Sequence, residues 1–201
     1  MKKCVIRILA IDPGLTNTGW TLLEYDPSSG DVVVSKIGEF HPGPAADKSD
    51  HREETDRFSK RTISLALLRQ TLTGIMLGEK PDYIVVEDIF FNPQRPMAHA
   101  ALAMWHCVTR MTCYDVLNKP MEIIQTKIAK QEITGNGGNG KLSVQQSIFS
   151  NPSIRFKNKT VEMLMDEHSA DAIAVGYAFA KRSRERILLE AGLLKHSNKE
   201  S

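Results

Sequence analysis

The first part of the chain shows three apolar stretches with the pattern of β-strands. A run interrupted only by Arg7 predicts a central strand over residues 4–11, and two further strands are predicted over Thr18–Tyr25 and Asp31–Phe40. The intervening sequence DPSSG has the composition of a hairpin turn. The chain therefore begins with a predicted antiparallel meander.

The remainder of the chain alternates between helical and extended patterns. Residues 41–56 are polar and rich in proline and charge, which predicts an exposed loop that orders on binding. The glycine- and asparagine-rich residues 134–140 predict a flexible connector. The periodicity predicts two more strands, 82–87 and 121–124, and five helices, 58–77, 97–117, 127–133, 142–149 and 165–189. These elements predict an α/β fold with a five-stranded mixed sheet, an antiparallel meander followed by parallel strands, and helices on both faces.

Length and composition predict one domain over residues 1–195, followed by a flexible polar tail over 196–201. The formal net charge of +2 does not by itself indicate a nucleic-acid partner. Three cysteines are too few for a disulfide framework, which favours reduced thiols in the cytoplasm of the cell, or of a host cell if the chain is viral. No apolar run approaches the ~20 residues that cross a bilayer, so no membrane association is expected.

Two predicted strands each end in a carboxylate. Asp12 closes the first strand, because the following proline and glycine prevent its continuation, and Glu87 closes strand 82–87. Alternation places Asp12 on the same strand face as Ala10, and Glu87 on the same face as Val85. If the two strands are neighbours, both acids lie within reach of one metal ion.

A third group of candidate ligands opens the last predicted helix, in the sequence DEHSAD over 166–171. His168 and Asp171 are three residues apart, and Glu167 and Asp171 are four apart, so either pair shares a helical face. Such a pair alone is more often a capping cluster, but beside the two strand-end acids a catalytic role is favoured. Converging carboxylates repel one another and need a cation between them. Hard oxygen ligands favour Mg²⁺ or Mn²⁺.

These three segments resemble the motifs of the RuvC Holliday-junction resolvases, which have the RNase H-like nuclease fold. The sequence ILAIDPG with the following TGW resembles that family's opening strand and turn, PDYIVVE its second acidic strand, and HSADAIAV its acidic terminal helix. Order and spacing match over roughly residues 4–182. The resemblance implies that the metal-binding catalytic set is Asp12, Glu87, His168 and Asp171. The first helix position varies between aspartate and histidine in the family, so Glu167 and then Asp166 remain alternatives to His168.

The same resemblance implies several DNA contacts. Lys130 and Lys141 match basic residues that the family places against the scissile backbone, with Lys127 as the alternative to Lys130. Phe90 matches an aromatic residue near the junction centre, where stacking on an unpaired base contributes roughly 1–3 kcal/mol. The methionine-rich helix over 97–117 has the pattern of a core helix and also that of a dimer seam.

The function implied by the resemblance is that of an endonuclease of DNA recombination and repair, which resolves four-way DNA junctions. A homodimer would match the two-fold symmetry of the junction and nick two opposed strands. Two Mg²⁺ ions per site, replaceable by Mn²⁺, would assist a hydrolysis that leaves 5′-phosphate and 3′-hydroxyl ends.

Three other functions are compatible with parts of the pattern. An RNase H-like nuclease could act on other branched DNA or on an RNA–DNA hybrid. A sugar-kinase-like phosphotransferase shares the type of turn that follows Asp12, but it needs a second domain of similar size. A junction-binding module without catalysis is disfavoured by the presence of all three acids.

Overall fold

A computed structural model describes residues 4–14, 16–48, 51–89, 93–137 and 140–194, except for the side chain of Lys141. The strands in these ranges are β1 (Ile6–Asp12), β2 (Thr18–Tyr25), β3 (Val32–Phe40), β4 (Tyr83–Glu87), β5 (Met121–Ile124) and β6 (Ile154–Phe156). The helices in these ranges are α1 (Pro42–Ala46), α2 (Arg52–Phe58), α3 (Lys60–Glu79), α4 (Pro96–Leu117), α5 (Thr126–Thr134), α6 (Lys141–Ser150), α7 (Lys159–Met163), α8 (Glu167–Arg182) and α9 (Arg184–Glu190).

The described strands form a single sheet in the order β5-β4-β1-β2-β3-β6. β1, β2 and β3 pair in antiparallel fashion, whereas β4 is parallel to β1 and β5 is parallel to β4. The α/β class and all five predicted strands are confirmed. The sheet has a sixth strand, β6, parallel to β3. With three residues it is too short to show a period in the sequence.

Helices cover both faces of the sheet, as predicted. Residues such as Ile8 and Ala10 belong to a buried cluster that includes the apolar residues of α8, and Leu9 and Ile11 belong to a second cluster with α3 and α4. Gly176 lets α8 lie close to the sheet, since a Cβ there would be 2.8 Å from the Cβ of Ala10. The alternation of β1 thus divides the core into two layers.

Three parts of the chain differ from the predicted elements. The predicted loop over 41–56 contains α1 and most of α2, which begin with features that favour helices: Pro42 in the first turn of α1 and two glutamates in the first turn of α2. Residues 151–164 carry β6 and α7, where no element was predicted. The last predicted helix is divided at Ser183 into α8 and α9.

None of the described helices is long and apolar enough to span a bilayer. The predicted tail over 196–201 lies outside the described residues. The assignment of residues 1–195 to a single domain stays a prediction.

Candidate active site

Asp12 and Glu87 lie side by side at the C-terminal ends of the neighbouring strands β1 and β4. β1 and β4 are parallel, and their register pairs Ile11 with Val86, the residues just before the two acids. Both acids therefore project to the face that α8 covers. Asp12 is only 8% exposed, and the carboxyl groups of Asp12 and Glu87 hydrogen-bond to each other.

This contact changes the proton affinity of Glu87. Burial raises the pKa of Glu87 to about 8, and the negative charge of Asp12 and the hydrogen bond between the two carboxyl groups act in the same direction. A hydrogen bond with Thr126 and the positive charge of Lys130 lower the pKa, but by less. Without a cation, Glu87 therefore carries a proton at neutral pH and donates it to Asp12.

The first turn of α8 brings an imidazole to this pair. Nδ1 of His168 lies 2.9 Å from Oδ2 of Asp12, as a ring nitrogen donating to a carboxylate. The turn is held by a capping box, in which Asp166 accepts from the backbone N–H of Ser169, and Ser169 Oγ accepts from the backbone N–H of Asp166. His168 is thereby fixed on a rigid helix end.

Gly19 allows α8 to approach so closely. It pairs with Asp12 across β1 and β2, and a Cβ at this position would lie 2.4 Å from the backbone carbonyl carbon of His168. Any side chain at Gly19 would displace the helix end from Asp12.

The alternative ligands on α8 have different environments. Burial tends to raise the pKa of the Asp166 carboxyl, but the hydrogen bonds from the side chain and backbone of Ser169 outweigh it, and the pKa is lowered. Asp166 thus serves as a cap, with oxygens directed at its own helix. Glu167 is exposed, whereas Asp171 is half-buried and lies three residues beyond His168 on α8. The geometry ranks His168 above Glu167 and Asp166 as the neighbour of Asp12.

A groove of about 610 Å³ adjoins the acids on the β5 side of the sheet. Its walls include Asp88, Thr126, Lys127 and Lys130. Lys130 is close enough for its charge to act on Glu87, whereas Lys127 is exposed. Two predicted DNA contacts are not available here, because Phe90 lies outside the described residues and Lys141 is described only as the first backbone position of α6.

Comparison with known proteins gives a consistent result. No family model matches the chain. The RuvC crossover junction endodeoxyribonuclease of Methylorubrum extorquens strain PA1 is 29% identical over 175 residues, which cover 86% of this chain and 80% of that protein. The protein of the same name from Methylocella silvestris is 26% identical over 192 residues, 95% of each chain. This chain is thus similar in sequence to RuvC over most of its length.

The fold of RuvC agrees as well. The solved structure of T. thermophilus RuvC in complex with a Holliday junction substrate matches with a TM-score of 0.65 over 90% of this chain and 96% of that one. Their sequence identity is 15%, so this match supports the shared RNase H-like fold alone. The sequence comparison and the structural comparison thus find similarity to proteins of the same name.

Two residues near the acids were not found from the sequence. Thr126 hydrogen-bonds with Glu87, and His106 hydrogen-bonds with the backbone of Glu87. Burial lowers the pKa of His106, which favours its neutral form. The position of Thr126 just after β5 could have indicated its place near the acids, because parallel neighbouring strands end on the same side of a sheet. The sequence gives no comparable signal for His106, which lies on the buried face of a long helix.

Proposed function

We propose that this chain is a structure-selective endonuclease that resolves four-way DNA junctions by metal-dependent hydrolysis. The observation that carries the proposal is the buried contact between Asp12 and Glu87, with His168 hydrogen-bonded to Asp12. The homologues named crossover junction endodeoxyribonuclease support the substrate class. Activity in the cytoplasm is part of the proposal, and it is supported by the free state of all three cysteines.

The donor set fits a divalent cation. Two carboxyl groups and an imidazole are ligands that Mg²⁺ and Mn²⁺ accept, and the carboxyl pair stays together here only by sharing a proton. A cation in place of that proton would allow both acids to ionise. Among the described residues, no three candidate ligands already surround one ion position, because Asp12 is hydrogen-bonded directly to the other two.

Each side chain has a role in the proposed site. Asp12, Glu87, His168 and Asp171 would hold Mg²⁺, with two ions per site and Mn²⁺ as a substitute. The bound metal would supply an activated water and charge stabilisation at the leaving oxygen, so that cleavage leaves a 5′-phosphate and a 3′-hydroxyl. Lys130 faces the same space with a positive charge, and it would orient the scissile phosphate. Lys141 and Phe90 stay predicted DNA contacts.

The outer face of α4 supports the proposed homodimer. Besides the charged Arg110 and Asp115, α4 exposes an apolar stripe whose members are spaced alternately by three and four residues: Met97, Ala100, Met104, Cys107, Met111 and Tyr114. This spacing is that of a helix seam packed against another helix. A second copy of the chain would bury the stripe and provide the second active site that symmetric nicking requires.

Replacing Met104 and Met111 by glutamate should raise the dissociation constant of the dimer by about 10²-fold or more, because charges would be buried at the seam of both copies. Sedimentation velocity over a concentration series would measure the change. Leu77→Glu, at an exposed leucine of α3, is the matched control and should leave the dimer intact. A wild-type protein that stays monomeric at every concentration would exclude this seam.

The decisive experiment is cleavage of a labelled four-way DNA junction beside a linear duplex and an RNA–DNA hybrid. Each substrate would be tested with Mg²⁺, with Mn²⁺ and with a chelator. We expect paired nicks in the junction alone, dependent on the metal, with ends that DNA ligase can seal. Cutting of the hybrid, or of all branched DNA without selectivity, would change the substrate assignment. Junction binding without any cleavage would contradict the proposed enzyme.

A further inference from the structure

The segment that precedes the active-site helix exposes two adjacent apolar side chains. Met163, the last residue of α7, is 85% exposed, and Leu164 is 64% exposed. Few large apolar residues of the described chain are as open to solvent. An apolar pair of this kind on a surface is typical of a contact site.

The pair stands on a firmly held turn. Val161 and Met165, on either side of it, pack against the buried core cluster beneath α8. The side chain of Asn158 caps α7 by accepting from the backbone N–H of Val161, 2.9 Å away. The backbone N–H of Leu164 in turn donates to the carbonyl of Thr160 at 3.1 Å. The outward direction of the two side chains is therefore fixed by the turn beneath them.

This turn lies at the active-site edge of the sheet. Leu164 is four residues before His168, a distance of at most about 14 Å along an extended chain. Asp166, between them, hydrogen-bonds with Glu39 of β3. β3 and β4 are separated by β1 and β2. The pair therefore lies on the opposite side of the acids from the groove lined by Lys127 and Lys130, called the lysine groove below.

The segment that leads to the pair carries exposed cations. Arg155 and Lys157 lie beside the first half of β3, and Lys159 begins α7. The exposed acids next to the pair are Glu162 and Glu167. Lys157 approaches Glu24 at 3.6 Å, at the surface, where such a pair contributes little. Exposed cations along a segment that leads to an apolar tip can hold a phosphate backbone while the tip enters between bases.

We propose that Met163 and Leu164 form an apolar wedge that contacts unstacked bases at the branch point of the DNA junction, on the opposite side of the acids from the lysine groove. This inference rests on the proposed function. The wedge would favour DNA whose bases separate easily beside the scissile phosphate, and so it would contribute to selection of branched over linear duplex. The two side chains would contact separated bases and so stabilise the open form of the branch point, and no bond would be made or broken in this step.

The test compares a fully paired four-way junction with one that carries two unpaired nucleotides at the branch point. The double variant Met163→Ser with Leu164→Ser should lower kcat/KM on the paired junction by about tenfold, which is within the range of losing one or two base contacts. On the junction that is already open, its kcat/KM should stay within about twofold of the wild type. Met163→Leu with Leu164→Met, which keeps the surface apolar, should behave as the wild type on both substrates.

Leu77→Ser is the matched control, since Leu77 is an exposed leucine near the end of α3 that leads to the start of β4, at the other edge of the sheet. An unchanged rate for the serine double variant on the paired junction would overturn the wedge. An equal loss on both junctions, or a change of sedimenting mass, would overturn it too, because the pair would then serve folding or self-association. If the wild type cuts neither junction, the proposed function itself fails, and that outcome is distinct from a wild type that cuts while the variants do not differ.

Discussion

Replacing Asp12 by asparagine should lower the rate of junction cleavage by at least about 10³-fold while the protein stays folded. Asp12 touches both Glu87 and His168, so its loss would disconnect the proposed ligand set. The stabilisation that a bound cation gives to a phosphoryl transition state is several kcal/mol, and about 1.4 kcal/mol corresponds to a factor of ten in rate. Single-turnover cleavage with Mg²⁺ would measure the loss.

Binding and stability separate a catalytic from a structural role. The amide oxygen of asparagine can still accept hydrogen bonds from Glu87 and His168, so the thermal midpoint and the junction affinity should change little. Glu24→Gln is a matched carboxyl-to-amide control that should keep full activity, because Glu24 lies at the end of β2 that is far from Asp12. If Asp12→Asn loses its fold together with its activity, Asp12 is structural. Glu87→Gln and Asp171→Asn should reproduce the loss of cleavage, and retained cleavage in either would remove that residue from the ligand set.

The metal-free protein should lose stability as the pH rises from about 4.5 to about 8, and Glu87→Gln should remove most of this dependence. The pKa of Glu87 is raised to about 8 in the folded state from 4.5, chiefly by burial. Between these values the folded protein holds a proton that the unfolded chain has released, so the free energy of unfolding decreases with rising pH. The loss is at most roughly 5 kcal/mol, at about 1.4 kcal/mol for each tenfold change in proton affinity.

Urea unfolding in the presence of a chelator, at intervals from pH 5 to pH 9, would measure this slope in both proteins. The difference between wild type and Glu87→Gln isolates the contribution of one carboxyl group, since the other titrations are common to both. Glu24→Gln should keep the wild-type slope. Added Mg²⁺ should stabilise the wild type most above pH 8, where a cation no longer competes with the proton. Parallel slopes for wild type and Glu87→Gln would contradict the raised pKa.

Local patterns explain why most strands and helices could be predicted. The alternation in β1, β2 and β3 and the helical stripe of α3 each involve residues close in sequence, so the chain itself displays them. The elements within residues 151–164 could not be predicted in the same way. β6 exists because β3 offers an edge, and α7 is positioned by Val161 and Met165 on a core built from distant segments.

The sequence alone determined that Asp12 and Glu87 end strands and that His168 and Asp171 share a helix face, because proline, glycine and periodicity act locally. Only the tertiary structure decided the contact between Asp12 and Glu87. It required β1 and β4 to be neighbours in register, and burial at that edge then raised the pKa of Glu87.

The tertiary structure also decided which residue of the acidic helix motif meets Asp12. Asp166, Glu167 and His168 are adjacent in sequence, but Asp166 caps its own helix and Glu167 is exposed. Gly19 permits the close approach of α8 that brings His168 to Asp12. Such a choice depends on packing between segments some 150 residues apart, and no local pattern contains it.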